Sequence, residues 1–145
     1  MNDATISHIQ NSGPAAIAWS AQMIRPQADQ GVGTPASFVA KSFTLNSVRG
    51  TEILHISALG LYRAFINGQR VGNDLLTPGW TAYDARLSYQ SYPVGQLLKA
   101  GENRIEIWLA DGWLRSQMMW GQQPIFNTWG DQIAAIAELR GAVGM

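Results

Sequence analysis

Ala64-Phe65-Ile66-Asn67-Gly68-Gln69-Arg70-Val71 decides the fold class of this chain. Asn-Gly is the pair that best tolerates the two positive φ angles of a type I′ turn, and strand-like residues flank it, so the stretch predicts a two-residue hairpin and antiparallel pairing. Outward from it the period stays that of strands. Upstream, Ser37 to Leu45 and Glu52-Ile53-Leu54-His55-Ile56-Ser57-Ala58 alternate. Downstream, Arg104 to Leu109 puts Ile105, Ile107 and Leu109 on one face and Arg104, Glu106 and Trp108 on the other. Ile133 to Leu139 is ambiguous by period alone: its alanines suit a helix, whereas its brevity and the preceding Gly130-Asp131 suit a strand. The one helix expected is a short turn around Val94 to Lys99, stopped by Gly101. Short strands punctuated by Gly, Pro and Asn, without alternating helices, predict an all-β antiparallel sandwich of jelly-roll type.

Composition narrows the partners. The 145 residues, 46% hydrophobic, suffice for one core and one domain. Residues 1–15 show no period and read as a flexible lead-in, so the sandwich is placed in residues 16–145. Ten basic and ten acidic residues cancel, which leaves no electrostatic footprint for nucleic acid or an anionic membrane surface. Without cysteine there is neither a disulfide framework nor a thiolate metal site. Met1-Asn2-Asp3-Ala4-Thr5 lacks a basic start and an apolar run behind it, and a cytoplasmic protein is the expectation.

The ordered set Trp19-Ser20-Ala21-Gln22-Met23-Ile24, Phe38-Val39-Ala40-Lys41-Ser42-Phe43, Leu59-Gly60-Leu61-Tyr62, Ile66 to Gly72, Thr77-Pro78-Gly79-Trp80-Thr81-Ala82-Tyr83, Gly101-Glu102-Asn103 and Ala110-Asp111-Gly112-Trp113 resembles the N-terminal β-sandwich domain of bacterial α-L-rhamnosidases. The resemblance runs from about Trp19 to Leu139, and it resolves Ile133 to Leu139 as a strand. Related N-terminal domains of β-galactosidase-like enzymes share part of the pattern. What the resemblance implies is an accessory module, a fragment of a longer multi-domain enzyme whose hydrolytic machinery lies in a separate helical barrel. The remaining domains of that parent are then expected partners. Where the family commonly reads Asp-Val-Thr, this chain has Pro93-Val94-Gly95, so the turn there loses a side-chain cap worth up to about 1 kcal/mol. After Leu139 the chain runs Arg140-Gly141-Ala142-Val143-Gly144-Met145, where such a sandwich would be expected to add a further strand. An open edge at that point is a candidate for edge-strand association between copies.

Glycoside hydrolysis needs two carboxyl groups across the scissile bond, about 5 Å apart for retention or about 6.5–9.5 Å for inversion. Asp74, Asp84, Asp111 and Asp131 lie in or beside predicted loops, but such aspartates are first of all turn formers, and no catalytic residue is assigned. Glu52, Glu102 and Glu106 read as solvated positions. Sugar binding asks less: an aromatic ring against the apolar face of a pyranose, and a few polar groups for its hydroxyls. Asn73, Asp74, Trp80, Tyr83, Asp111 and Trp113 are the candidate carbohydrate-binding residues, with rhamnosides as the expected ligand class. Trp80 and Trp113 read first as plugs at the ends of the core and second as a sugar platform, while Trp120 and Trp129 stay open between the two. Trp108 falls on the polar strand face, where an indole marks a contact such as a neighbouring domain. His55 reads as a half-buried strand residue, and His8 lies in the lead-in. No His, Asp or Glu spacing matches a metal site, so no metal or other cofactor is expected, and no pattern indicates calcium. Neither a nucleophile elbow nor a phosphate-cradling glycine loop is present. The alternative to sugar binding is a purely structural or assembly domain with no ligand.

Overall fold

The computed structural model describes residues 17–119, 121 and 123–141. The expected lead-in, His8, Trp120 and the four C-terminal residues lie outside them. Seven strands follow in order: β1 Ser37–Leu45, β2 Ile53–Leu59, β3 Leu61–Ile66, β4 Gln69–Arg70, β5 Gln90–Pro93, β6 Gly101–Ala110 and β7 Ala134–Arg140. They form a four-stranded sheet ordered β1-β6-β3-β4 and a three-stranded sheet ordered β5-β2-β7. Every pair is antiparallel. The expected all-β sandwich is what the chain forms.

Alternation explains the core. Tyr62, Ala64 and Ile66 of β3 pair with Leu109, Ile107 and Ile105 of β6, and both rows turn inward. Across the interior, Leu54, Ile56 and Ala58 of β2 pair with Leu139, Ala137 and Ala135 of β7. Burying a Leu or Ile side chain is worth about 1.5–3 kcal/mol, so the two rows hold the layers together without a disulfide.

The chain passes from one sheet to the other in a single residue. Gly60 separates β2 from β3 with φ 103°, and a Cβ there would lie 2.3 Å from the carbonyl oxygen of Ala110. Glycine is required at this corner on two counts, conformation and space. At the hairpin, Asn67 and Gly68 have φ 51° and 80°, and Phe65 pairs with Arg70 and Ile66 with Gln69, as a type I′ turn demands. Asn67 also reaches out of the turn: its side-chain amide donates to the Leu97 carbonyl at 2.9 Å and to Asn103 Oδ1 at 2.8 Å, and its Oδ1 accepts the Arg104 N–H at 3.0 Å. Asn103, fully buried, donates in turn to the carbonyls of Lys99 and Gly101.

Several expectations are corrected. The turn expected over Val94 to Lys99 is a 3-10 turn confined to Gly95–Leu97; Val94 at its N-cap makes no side-chain capping bond, and a glycine at its first position adds little helical preference. It is not the sole helical piece: Asp111-Gly112 opens the turn α1, Gly112–Arg115. Glu52 is not solvated but buried, its carboxylate accepting the Arg49 N–H at 2.5 Å and the Gly50 N–H at 2.9 Å. Those two bonds, the Arg49 one foremost, hold its pKa below the ordinary value despite burial. The outer edge of β7 is partly covered, because Ile24 exchanges backbone bonds with Ala135 at 2.8 and 2.9 Å and Glu138 accepts the Ser20 and Ala21 amides. Among the described residues, no strand pairs with the outer side of β1.

Candidate functional site

The loop between β4 and β5 carries four of the six expected site residues and is fastened at several points. Thr77 locks it to β3, with Tyr62 N–H donating to the Thr77 carbonyl and Thr77 Oγ1 donating to the Tyr62 carbonyl, both at 3.0 Å. The Thr77–Pro78 peptide is cis. Gln90 of β5 donates to the Pro78 carbonyl at 3.2 Å and accepts the Tyr62 hydroxyl at 2.7 Å. Burial pushes the Tyr62 phenol far above its usual pKa, so it remains a donor.

This fastening presents Trp80 outward. Its side chain is 57% exposed, and its ring lies parallel to that of Trp113, 2° between planes and 6.5 Å between centroids. Trp113 comes from α1 and packs, partly buried, against the core. The expectation that both indoles plug the sandwich ends therefore fails for Trp80: only Trp113 is braced by the core. Tyr83 is buried, with its hydroxyl donating to the Gly79 carbonyl at 3.3 Å and its ring tilted on Trp129 at 6.0 Å, so it supports the Trp80 loop from beneath. Trp129, left open by the sequence, is half-buried against the core.

Asn73 and Asp74 are exposed at the other end of the same loop. Asp74 accepts the Tyr92 hydroxyl at 2.8 Å, and its carbonyl accepts an Arg70 N–H at 2.9 Å. A shallow depression is bounded by Asp74, Thr77, Gly79 and Gln90. The structure thus pairs Trp80 with Trp113 and ties Tyr83 to Gly79, while Asn73 and Asp74 are exposed earlier in the same loop.

Asp111 is drawn elsewhere, into a cluster the sequence did not disclose. Arg115 in α1 is buried, and its guanidinium donates to Asp111 at 2.6 Å, to both oxygens of Asp29 at 2.6 and 2.7 Å, and to the carbonyls of Asp131 and Gly31 at 2.8 and 3.3 Å. All five guanidinium N–H donors find partners. The second oxygen of Asp111 accepts the Gly33 amide at 2.7 Å. The cluster ties residues 29–33, expected only as a surface loop, to α1. The hydrogen bond from Arg115 leads in holding the Asp29 carboxyl below its ordinary pKa, against the opposing effect of burial. Through Arg115 and the Gly33 amide, Asp29 and Asp111 clasp residues 29–33 to α1. The one trace in sequence is Asp111 and Arg115 at i,i+4 spacing, which pairs only if the segment is helical.

Fold and site together define a two-sheet antiparallel module with a loop end built of stacked aromatics. The model of the α-L-rhamnosidase N-terminal domain matches residues 48–143. An α-L-rhamnosidase of Streptomyces avermitilis is 40% identical over 87 residues, 59% of this chain and 8% of the relative. One of Formosa agariphila is 32% identical over 92 residues, 63% of this chain and 10% of the relative. Among solved structures, the native α-L-rhamnosidase of Aspergillus terreus superposes with a TM-score of 0.74 at 32% identity, over 83% of this chain and 14% of that one. The Streptomyces avermitilis α-L-rhamnosidase complexed with L-rhamnose superposes with a TM-score of 0.64 at 35% identity, over 70% of this chain and 10% of that one. This chain belongs to the α-L-rhamnosidase N-terminal domain family, a domain of glycoside hydrolases, and spans about a tenth of the length of the curated relatives.

Proposed function

We propose that the chain is a non-catalytic accessory module of an α-L-rhamnosidase-like glycoside hydrolase, which supports the catalytic region of the parent and holds rhamnose-containing glycans at its loop end. The observation that carries the reading is the Trp80–Trp113 pair. Trp80 leaves its ring in solvent although an indole gains much by burial, and Trp113 fixes its plane. A ring held this way stacks on the apolar face of a pyranose at small entropic cost, while Asn73 and Asp74 supply polar groups for hydroxyls. Family membership, and the L-rhamnose in the Streptomyces avermitilis structure, favour rhamnose as the sugar.

A second reading, a purely structural domain without ligand, is favoured by one observation: Asp111 and Tyr83 are spent on internal bonds, which leaves the platform with fewer polar partners than its sequence offered. Titration of intrinsic tryptophan fluorescence with L-rhamnose separates the two. A shallow site of this kind gives a dissociation constant of about 1 mM, near −4 kcal/mol, and Trp80→Ala weakens it at least about tenfold. Equal response of the wild type and the Trp80 variant contradicts the placement at this platform.

A further inference from the structure

The outer face of the four-stranded sheet carries a second, separate aromatic cluster. Phe38 of β1 and Trp108 of β6 are cross-strand neighbours, 60% and 46% exposed, and the Phe65 ring of β3 lies 5.5 Å from the Trp108 ring. The indole N–H of Trp108 donates to Glu106 at 2.6 Å, which folds the ring along its own strand and leaves no polar demand on the patch. Trp108 stands as a ridge between two hollows, one lined by Leu61, Arg63, Leu76 and Ala110, the other by Phe65, Gly68, Arg104 and Glu106. Arg104 and Glu106 are 3.7 Å apart, a loose pair that leaves the exposed guanidinium with donors to spare.

We propose that this face is a homodimer interface, occupied by the same face of a second copy of the chain about a two-fold axis. A ridge beside a hollow is self-complementary under two-fold rotation, since each Trp108 enters the hollow beside the other. Charge permits it as well: Arg104 and Glu106 give the face both signs, whereas a face of one sign would repel itself. Concentrated aromatics with an arginine border are the composition of an interface centre. The outer side of β1, unpaired among the described residues, is a poorer route to association. Lys41 points from that edge into the inter-sheet cleft beside Phe43 and Ile105, and an inward-pointing charge blocks strand-to-strand pairing.

Sedimentation velocity of the full chain, from about 1 µM to about 1 mM, tests the proposal. A concentration-dependent dimer is expected. Phe38→Ser and Trp108→Ser each weaken it at least about tenfold, while Ile125→Ser, which removes an exposed apolar side chain elsewhere, leaves it unchanged. Circular dichroism confirms that the variants are folded, which their exposed positions favour. A monomer throughout the range, as when the face is reserved for the rest of the parent polypeptide, overturns the proposal. So does a dimer that survives both face substitutions or is lost with Ile125→Ser.

Discussion

Gly60, Gly68 and Glu138 show how single residues fix this fold. At Gly60 an added methyl meets a backbone carbonyl and the backbone is left-handed, so nothing local can yield. Gly60→Ala is expected to cost more than about 2 kcal/mol, read as a lowered midpoint in chemical denaturation. At Gly68 there is open space around the missing Cβ and the cost is conformational alone. Gly68→Val is expected to cost more than about 1 kcal/mol, because a β-branched residue is strained at positive φ; an unchanged midpoint and slope would contradict the turn type. Glu138 acts through charge. Burial pushes its carboxyl up, but hydrogen bonds from Ala21, Arg140 and Ser20 outweigh that and bring its pKa down to about 2 from 4.5. A carboxylate whose folded pKa is depressed contributes stability that is full above its unfolded pKa and is lost as pH falls from there through the folded value. Stability is therefore expected to decline from about pH 4.5 toward pH 2, and Glu138→Gln is expected to flatten that decline. A variant with the same acid profile as the wild type would remove Glu138 from the account.

At the scale of elements, α1 and its clasp carry weight out of proportion to four residues. Asp29→Asn leaves a buried guanidinium short of one charge partner, with an expected loss of about 3–5 kcal/mol in denaturant unfolding. A loss below about 1 kcal/mol would mean that the loop of residues 29–33 is held by something else. The clasp also marks where legibility in the sequence ended. β1, β2, β6 and the Asn67-Gly68 hairpin were readable because their signals are local: a period of two, and a dipeptide matched to one turn. β7 needed the family resemblance, since alanines carry little periodic contrast. Arg115 with Asp29, and the burial of Glu52, were not readable, because each depends on residues brought together by the tertiary fold or on an amide geometry that composition does not reveal. Gly101-Glu102-Asn103 is visible in the sequence as a pattern, yet its physical content, Asn103 bonding back to Gly101 and across to Asn67, belongs to the packed structure.

Over the whole molecule, the two sheets hold aromatics in two exposed places for different reasons. On the loop end, Trp80 is braced by Trp113, with Asn73 and Asp74 exposed on the same loop; on the outer sheet face, Trp108 is satisfied by Glu106 and bordered by arginines. Sugar is proposed for the first and protein for the second. Hydrolysis is assigned to neither, because the clustered carboxylates, Asp29 and Asp111, are both engaged by Arg115. One measurement addresses these assignments together: an aryl α-L-rhamnoside titrated into the isotope-labelled chain, with backbone amide shifts and the anomeric signal of the ligand followed in the same samples. Saturable shifts clustered on Asn73, Asp74, Trp80 and Trp113 are expected while the glycoside stays intact. Free rhamnose accumulating faster than in buffer, shifts centred on Trp108, or no shifts at high ligand concentration would contradict these assignments.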